Sequence, residues 1–249
     1  MAEQARGRVR AERGVKRVRA YLDGDLVADT RAPLLVWEVP YYPAYYVPAS
    51  DVRAELVASG HTAHSPSRGE AGVFDVKTSR STAPGAAQRY DASPIDALPG
   101  HVRLQWDAFS WFEEDEPVFV HPRNPYTRID ILGSSRDVRI EVDGVTVADS
   151  SQPRVLFETG LPPRYYLPMT DVRLDLLRPS ETITHCPYKG TASYYSVEVN
   201  GHVTPDVVWY YPTPLPESQK VQGLACFYDE KVDVFLDGEQ QTRPKTKFA

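Results

Sequence analysis

The sequence is poor in residues that build covalent or metal frameworks. Among its 249 residues there are only two cysteines, Cys186 and Cys226, which excludes a disulfide scaffold and a four-cysteine zinc site. His61 and His64, three apart, lack the further ligands a metal site needs. No run approaches 18 apolar residues and the first twenty residues hold no apolar leader core, so no membrane partner is expected. Positive charge is also short: 28 Lys and Arg against 34 Asp and Glu leave a net charge of −6, which argues against nucleic acid as a partner. Together these absences point to a cytoplasmic protein with reduced thiols and no cofactor.

What the chain has instead is 22 prolines and 15 tyrosines on a globular background of 41% hydrophobic residues. Proline cuts a chain into short segments, and tyrosine suits half-buried sheet faces and pocket walls. Both favour β structure with frequent turns. Positive charge clusters at the start, in Arg6, Arg8, Arg10, Arg13, Lys16 and Arg17. Residues 1–14 read as a solvated basic tail, and 241–249 as a second tail.

The chain repeats itself. Residues 18–53 and 138–173 align at a constant offset of 120 without a gap, and 16 of 36 positions are identical. Unrelated sequences would match at about two. After one inserted residue, His64-Ser65-Pro66-Ser67-Arg68-Gly69 aligns with His185-Cys186-Pro187-Tyr188-Lys189-Gly190. Arg128 to Ile131 is read as the end of the first copy, matching Lys231 to Val234. The domains are therefore placed at 15–133 and 134–240.

Asp23-Gly24 and Asp143-Gly144 stand between alternating apolar and polar residues, which is a hairpin signal. Leu34 to Glu38, Val155 to Glu158, Tyr194 to Val199, Ala225 to Tyr228 and Val232 to Leu236 read as further short strands. Ser50 and Thr170 are placed to cap one short helix in each copy. No alternation of strands with long helices is visible. The expected fold class is all-β and mainly antiparallel: two tandem copies of a small sandwich or partly open barrel.

Several of these segments resemble a known family. Tyr165-Tyr166, HCPYKGTASYYSV at 185–197, Val208-Trp209-Tyr210-Tyr211-Pro212 and ACFYDEKVDVF at 225–235 are similar to the domain-of-unknown-function 427 family. WFEEDEPVFVHPRNPYTRIDIL at 111–132 resembles the tandem form found in actinobacteria. The resemblance implies a compact, tent-like β domain whose relatives bind zinc and small ligands, and it supplies no activity. The family also carries a nucleotidyltransferase-like label. That chemistry needs a Gly-Ser pair and two metal-binding carboxylates, for which Gly133-Ser134, Glu141 and Asp143 are the nearest match. The spacing is too short for the intervening helix, and Asp143 is better read as a turn residue.

Within the second copy, Cys186 and Lys189 form the most suggestive pair. A thiol three residues from an ammonium can act as a nucleophile, Lys189 can hold an anion, and Gly190 lets backbone approach a ligand. The first copy has Ser65 and Arg68 there, so a site in the second copy alone is the consistent version. Cys226, in an apolar run, reads as core. Tyr165, Tyr166, Tyr188, Tyr194, Tyr195, Trp209 and Tyr210 supply aromatic walls. In the first copy, Glu113-Glu114-Asp115-Glu116 reads as a solvated acidic run, and His121 and Arg123 suit a carboxylate or phosphate. Glu38 with Arg53, and Glu158 with Arg173, recur in both copies and read as structural ion pairs.

The expected function is binding of a small molecule or anion in a pocket of the second domain, lined by Tyr165, Tyr166, Cys186, Tyr188, Lys189 and Trp209. One alternative is an enzyme with Cys186 as nucleophile, assisted by Lys189 or His185. The other is a non-catalytic partner-binding protein.

Overall fold

A computed structural model describes residues 9–246. Arg6 and Arg8 of the basic cluster lie outside the described residues, as do residues 247–249. The chain divides into two compact units, 1–124 and 125–249.

The first unit is built from β1 (Arg10–Arg13), β2 (Val18–Leu22), β3 (Asp25–Thr30), β4 (Leu34–Trp37), β5 (Ala44–Pro48), β6 (Glu55–Ser65), β7 (Gly69–Lys77), β8 (Thr82–Arg89), β9 (His101–Leu104), β10 (Ser110–Glu113) and β11 (Glu116–Val118). They form an antiparallel seven-stranded sheet, β1-β4-β5-β9-β8-β7-β6, and a four-stranded sheet, β11-β10-β2-β3. The second unit repeats this with β12 (Ile129–Gly133), β13 (Val138–Val142), β14 (Val145–Ser150), β15 (Arg154–Glu158), β16 (Arg164–Leu167), β17 (Leu177–Cys186), β18 (Gly190–Val199), β19 (His202–Tyr210), β20 (Ala225–Phe227), β21 (Asp233–Leu236) and β22 (Glu239–Gln240). Its sheets run β12-β15-β16-β20-β19-β18-β17 and β14-β13-β21-β22. The fold is all-β, two open antiparallel sheets per unit.

Within each unit the sheets share one core. Val138, Ile140 and Val142 of β13 alternate inward and pack with Leu167, Val197, Val208 and Phe227 of the larger sheet. The larger sheet has a second apolar face. In the second unit it carries Leu156, Tyr166, Trp209 and Cys226, covered by Tyr211, Val221 and Leu224 from the β19–β20 connection. In the first unit Leu34, Val36 and Tyr46 are covered in the same way by Tyr90, Ile95 and Leu98. A strand buried on both faces places consecutive side chains in different clusters, so sequence neighbours on these strands share no common surroundings.

The Asp-Gly hairpins form as expected. Asp23 and Gly24 have φ of 48° and 86°, and Asp143 and Gly144 have 49° and 75°, so both turn residues are left-handed. The expected short helices are reduced to 3₁₀ turns, which in the second unit include Leu174–Leu176 within the expected span. Ala49–Asp51 and Met169–Asp171 are single 3₁₀ turns without side-chain caps, followed by extended Val52 and Val172. Arg53 and Arg173 donate their backbone N–H to Val27 and Val147, and those bonds interrupt the helical run.

Three expected boundaries shift. Arg10–Arg13, assigned to the basic tail, is an edge strand paired with β4. Ile129–Gly133, assigned to the first copy, pairs with β15 of the second unit and occupies the place β1 has in the first. The partner of Lys231–Val234 is therefore Ala108 to Trp111: Trp111 sits opposite Ala20 on β2, and Val234 opposite the matching Ile140 on β13. Within the second tail, Thr246 Oγ1 donates to Glu230 Oε1 at 2.5 Å.

Candidate functional site

On the second face of each larger sheet lies a partly buried ionic cluster. In the first unit Arg103 grips Glu38 through Nε and Nη2 at 2.6 and 3.0 Å. Arg68 joins the same carboxylate and donates to the Tyr46 hydroxyl at 3.0 Å and to Ser65 Oγ at 3.0 Å. Tyr46 in turn donates to Glu38 at 2.8 Å. Burial, then the Glu38 carboxylate, drives the Tyr46 hydroxyl far above its ordinary range, so it stays a donor. In the second unit the corresponding residues are Glu158, Tyr166, Cys186 and Lys189, with Cys226 in place of Arg103. Lys189 Nζ pairs with Glu158 Oε2 at 2.5 Å, with side chains 12% and 10% exposed. Burial presses the ammonium's pKa down, yet Cys186 and Glu158 outweigh it and hold the pKa above its usual value.

This arrangement corrects several readings. Glu38 and Glu158 do sit in ion pairs, but with Arg68, Arg103 and Lys189; Arg173 pairs with Asp175 instead. The charge of Lys189 is taken up inside the protein. Gly190, at φ 99°, accommodates the chain's own backbone: an added Cβ would lie 3.4 Å from Leu215 N and Thr213 O, and Leu215 N–H donates to Lys189 O.

The expected aromatic wall splits in two. Tyr165 and Tyr166 are neighbours on β16 and project to opposite faces, Tyr165 against the inter-sheet core and Tyr166 against Trp209. Trp209 Nε1 donates to the Tyr166 hydroxyl at 3.1 Å, and both rings are buried. Tyr188 lies in the β17–β18 connection, its carbonyl 3.5 Å from Ser218 Oγ. His185 is exposed, its Nδ1 3.0 Å from Thr191 Oγ1, and Cys186 after it is half-buried. Adjacent strand residues face opposite ways, so His185 is not set to deprotonate Cys186. Cys226 is fully buried, as expected.

In the first unit Arg123 lies 3.5 Å from Glu113 and 3.8 Å from Glu116, and His121 stacks on Tyr42 at 3.9 Å. These two residues are built into their own unit. The acidic run is only partly solvated: Glu113 is 4% exposed, bound by Lys16 at 2.7 Å and by the Tyr45 hydroxyl, while Glu114, at φ 49°, forms the turn. Asp143 lies in its hairpin turn beside His202, and Glu141 pairs with Arg139. Among the described residues no group of three or more His, Cys, Asp or Glu is arranged to hold a metal.

The two units also differ where the four-stranded sheet meets β5 or β16. In the first unit Trp106 and Trp111 stack at 5.1 Å, and Tyr45 leans on both at 6.3 and 5.6 Å. At the matching positions the second unit has Asp229 and Val234, with Tyr165 for Tyr45 and Leu236 for Glu113. The indoles are gone, and a pocket of about 150 Å³ lies there, lined by Pro162, Tyr165, Asp229, Val234 and Leu236 and bordered by Gln241 to Pro244. Asp229 lies 3.6 Å from Arg164, which is bidentate to Glu230 at 2.9 and 2.6 Å on the Trp209 face of the sheet. Burial, only partly offset by Arg164, pushes the Asp229 carboxyl up to about 6. Sequence reading missed Asp229, Glu230 and Arg164; carrying the repeat on from Phe112/Phe235 would have set Trp106 beside Asp229.

The architecture is thus a tandem of two β-sandwich domains sharing one sheet plan. The family described as domain of unknown function DUF427 matches residues 10–113 and again 130–238. The chain belongs to that family, with one copy in each unit. No curated protein matches it.

Proposed function

We infer that the chain is a non-catalytic binding protein whose second unit accommodates a small molecule in the pocket beside Asp229, while the first unit is its filled counterpart. The observation that carries this reading is the replacement of the stacked Trp106–Trp111 pair by Asp229 and Val234 within one shared fold. A buried, poorly neutralised carboxyl is costly to a fold and gathers at functional sites. The expected aromatic, lysine-lined pocket thereby becomes an aromatic, carboxylate-lined one; of the residues first expected there, Tyr165 remains. A cavity near 150 Å³ takes a molecule of about benzene size, well short of a nucleoside triphosphate. The enzyme alternative has less support, because Lys189 is engaged by Glu158 and His185 faces away from Cys186.

The test is a thermal-shift screen of small amines, amino acids, organic acids and polyols on the native protein and on Val234→Trp, which restores the residue the first unit carries. A ligand present at about 100 times its Kd adds about 2.7 kcal/mol, several degrees for a domain of this size. The expected result is a compound that stabilises the native protein and not the variant. Equal stabilisation of both, or none of either, overturns the reading and favours a partner-binding role.

A further inference from the structure

Resting on that reading, we propose that the ligand presents a protonated amine: its ammonium meets the Asp229 carboxylate and its hydrocarbon lies against Tyr165, Val234 and Leu236. Asp229, Glu230 and Arg164 form a group buried to about a tenth exposure or less, holding two carboxylates and one guanidinium. Arg164 spends both of its short bonds on Glu230 and stacks over Trp209 at 5.6 Å. Asp229 has the 3.6 Å contact to Arg164 and a hydrogen bond from its own backbone N–H. When all three are ionised the group is left with one negative charge, and of the three Asp229 lines the pocket.

The other charge on the lining is Arg243, and Asp233 holds it at 2.9 Å. Among the described lining residues an anion therefore finds no free cation. A hard metal ion fits no better, since it needs several oxygen ligands and Asp229 is the one carboxylate among those residues. An organic ammonium needs one carboxylate, an apolar wall and, favourably, an aromatic ring, and Tyr165 with the prolines supplies these. The site volume matches a buried hydrocarbon part of about six carbons.

Acid weakens this interaction. The groups facing Asp229 are Arg164 on β16, Glu230 beside it, Cys226 on β20, Tyr165 on β16 and Arg243 on the bordering segment. A guanidinium does not lose its proton in this range, and Glu230 is held below its ordinary pKa by Arg164 and Thr246 despite its burial. The group that changes charge near neutrality is Asp229, which titrates at about 6. Ammonium affinity is full above that pH and falls as the carboxyl protonates.

The experiment is isothermal titration of the full chain with butylammonium, butanol and butyrate at pH 7.5 and 5.0, repeated with Asp229→Asn and Val234→Trp. The expected result is butylammonium binding at pH 7.5, about tenfold weaker at pH 5.0, one unit below the Asp229 midpoint. Asp229→Asn should weaken it at least as much at pH 7.5, and Val234→Trp should abolish it. Butanol or butyrate binding as tightly, unaffected by Asp229→Asn yet lost in Val234→Trp, would overturn the ammonium assignment and leave the pocket standing. No binding by any of the three, with no compound found by thermal shift, would remove both.

Discussion

Asp229→Asn is expected to raise the melting temperature of the ligand-free protein at pH 7.5, and to leave it little changed near pH 4. The Asp229 carboxyl lies at about 6 in the folded chain against an ordinary 3.8. A carboxyl raised on folding stabilises the native state fully below its unfolded pKa, and that contribution is lost as pH rises through the folded value. Above pH 6 the folded protein therefore carries a penalty of up to about 3 kcal/mol, from roughly two pH units at 1.36 kcal/mol each. Asparagine fills the same space without charge and leaves Arg164 on Glu230. A gain on the order of 1–3 kcal/mol is expected, read as roughly 5–10 °C in thermal melts. Melting curves of native and variant protein across pH 4 to 8 check this. A variant destabilised at pH 7.5 would mean that Asp229 does a structural job for Arg164. Stability gained by deleting a group is what a fold shows where it has kept that group for a ligand.

The second large effect separates the two ionic clusters. Glu38→Gln removes the carboxylate shared by Arg68 and Arg103, whose side chains are 16% and 23% exposed. Guanidinium cannot shed its proton, so two partly buried positive charges remain face to face, at a cost of about 3–5 kcal/mol. Glu158→Gln strips one partner from Lys189, but an ammonium can deprotonate when buried without its counter-ion. In that variant the Lys189 pKa drops from its raised native position, so the loss is largest at low pH and shrinks as pH rises through the lowered pKa. Denaturant unfolding at pH 7 and 9 should show Glu38→Gln the more damaging, with only the Glu158→Gln penalty easing at pH 9. Equal and pH-independent losses would show that the clusters do not differ in this way.

Much of the architecture was legible in the sequence because duplication prints the same chemistry twice. Asp23-Gly24 and Asp143-Gly144 announced their hairpins, and alternation in Val138–Val142 announced a half-buried strand. The site was harder to read, for physical reasons. Tyr165 and Tyr166 look like one aromatic wall, but in a sheet buried on both sides adjacent residues serve different faces. Glu38 and Glu158 were recognised as paired, yet their partners come from the β6–β7 and β17–β18 hairpins and from β9, more than 25 residues away, instead of from Arg53 and Arg173. The helices expected after Ser50 and Thr170 lost to backbone bonds with β3 and β14, which local propensity cannot foresee. The pocket escaped notice because identity between the copies fades where Trp106 and Trp111 became Asp229 and Val234. That divergence is the pocket.

The most direct measurement of the central claim, that the second unit is open where the first is filled, is thiol accessibility at the pocket wall. Cys186→Ser removes the half-buried thiol, and Cys226 is fully buried. In that background, Tyr165→Cys places a thiol on the partly buried part of the pocket lining, and Val147→Cys places one in the inter-sheet core as a control. Methanethiosulfonate reagents of either charge then report access and local potential. Tyr165→Cys is expected to be modified in the folded protein, faster by the aminoethyl than by the sulfonatoethyl reagent, while Val147→Cys stays unmodified. Equal inertness of the two introduced thiols would contradict an open second unit.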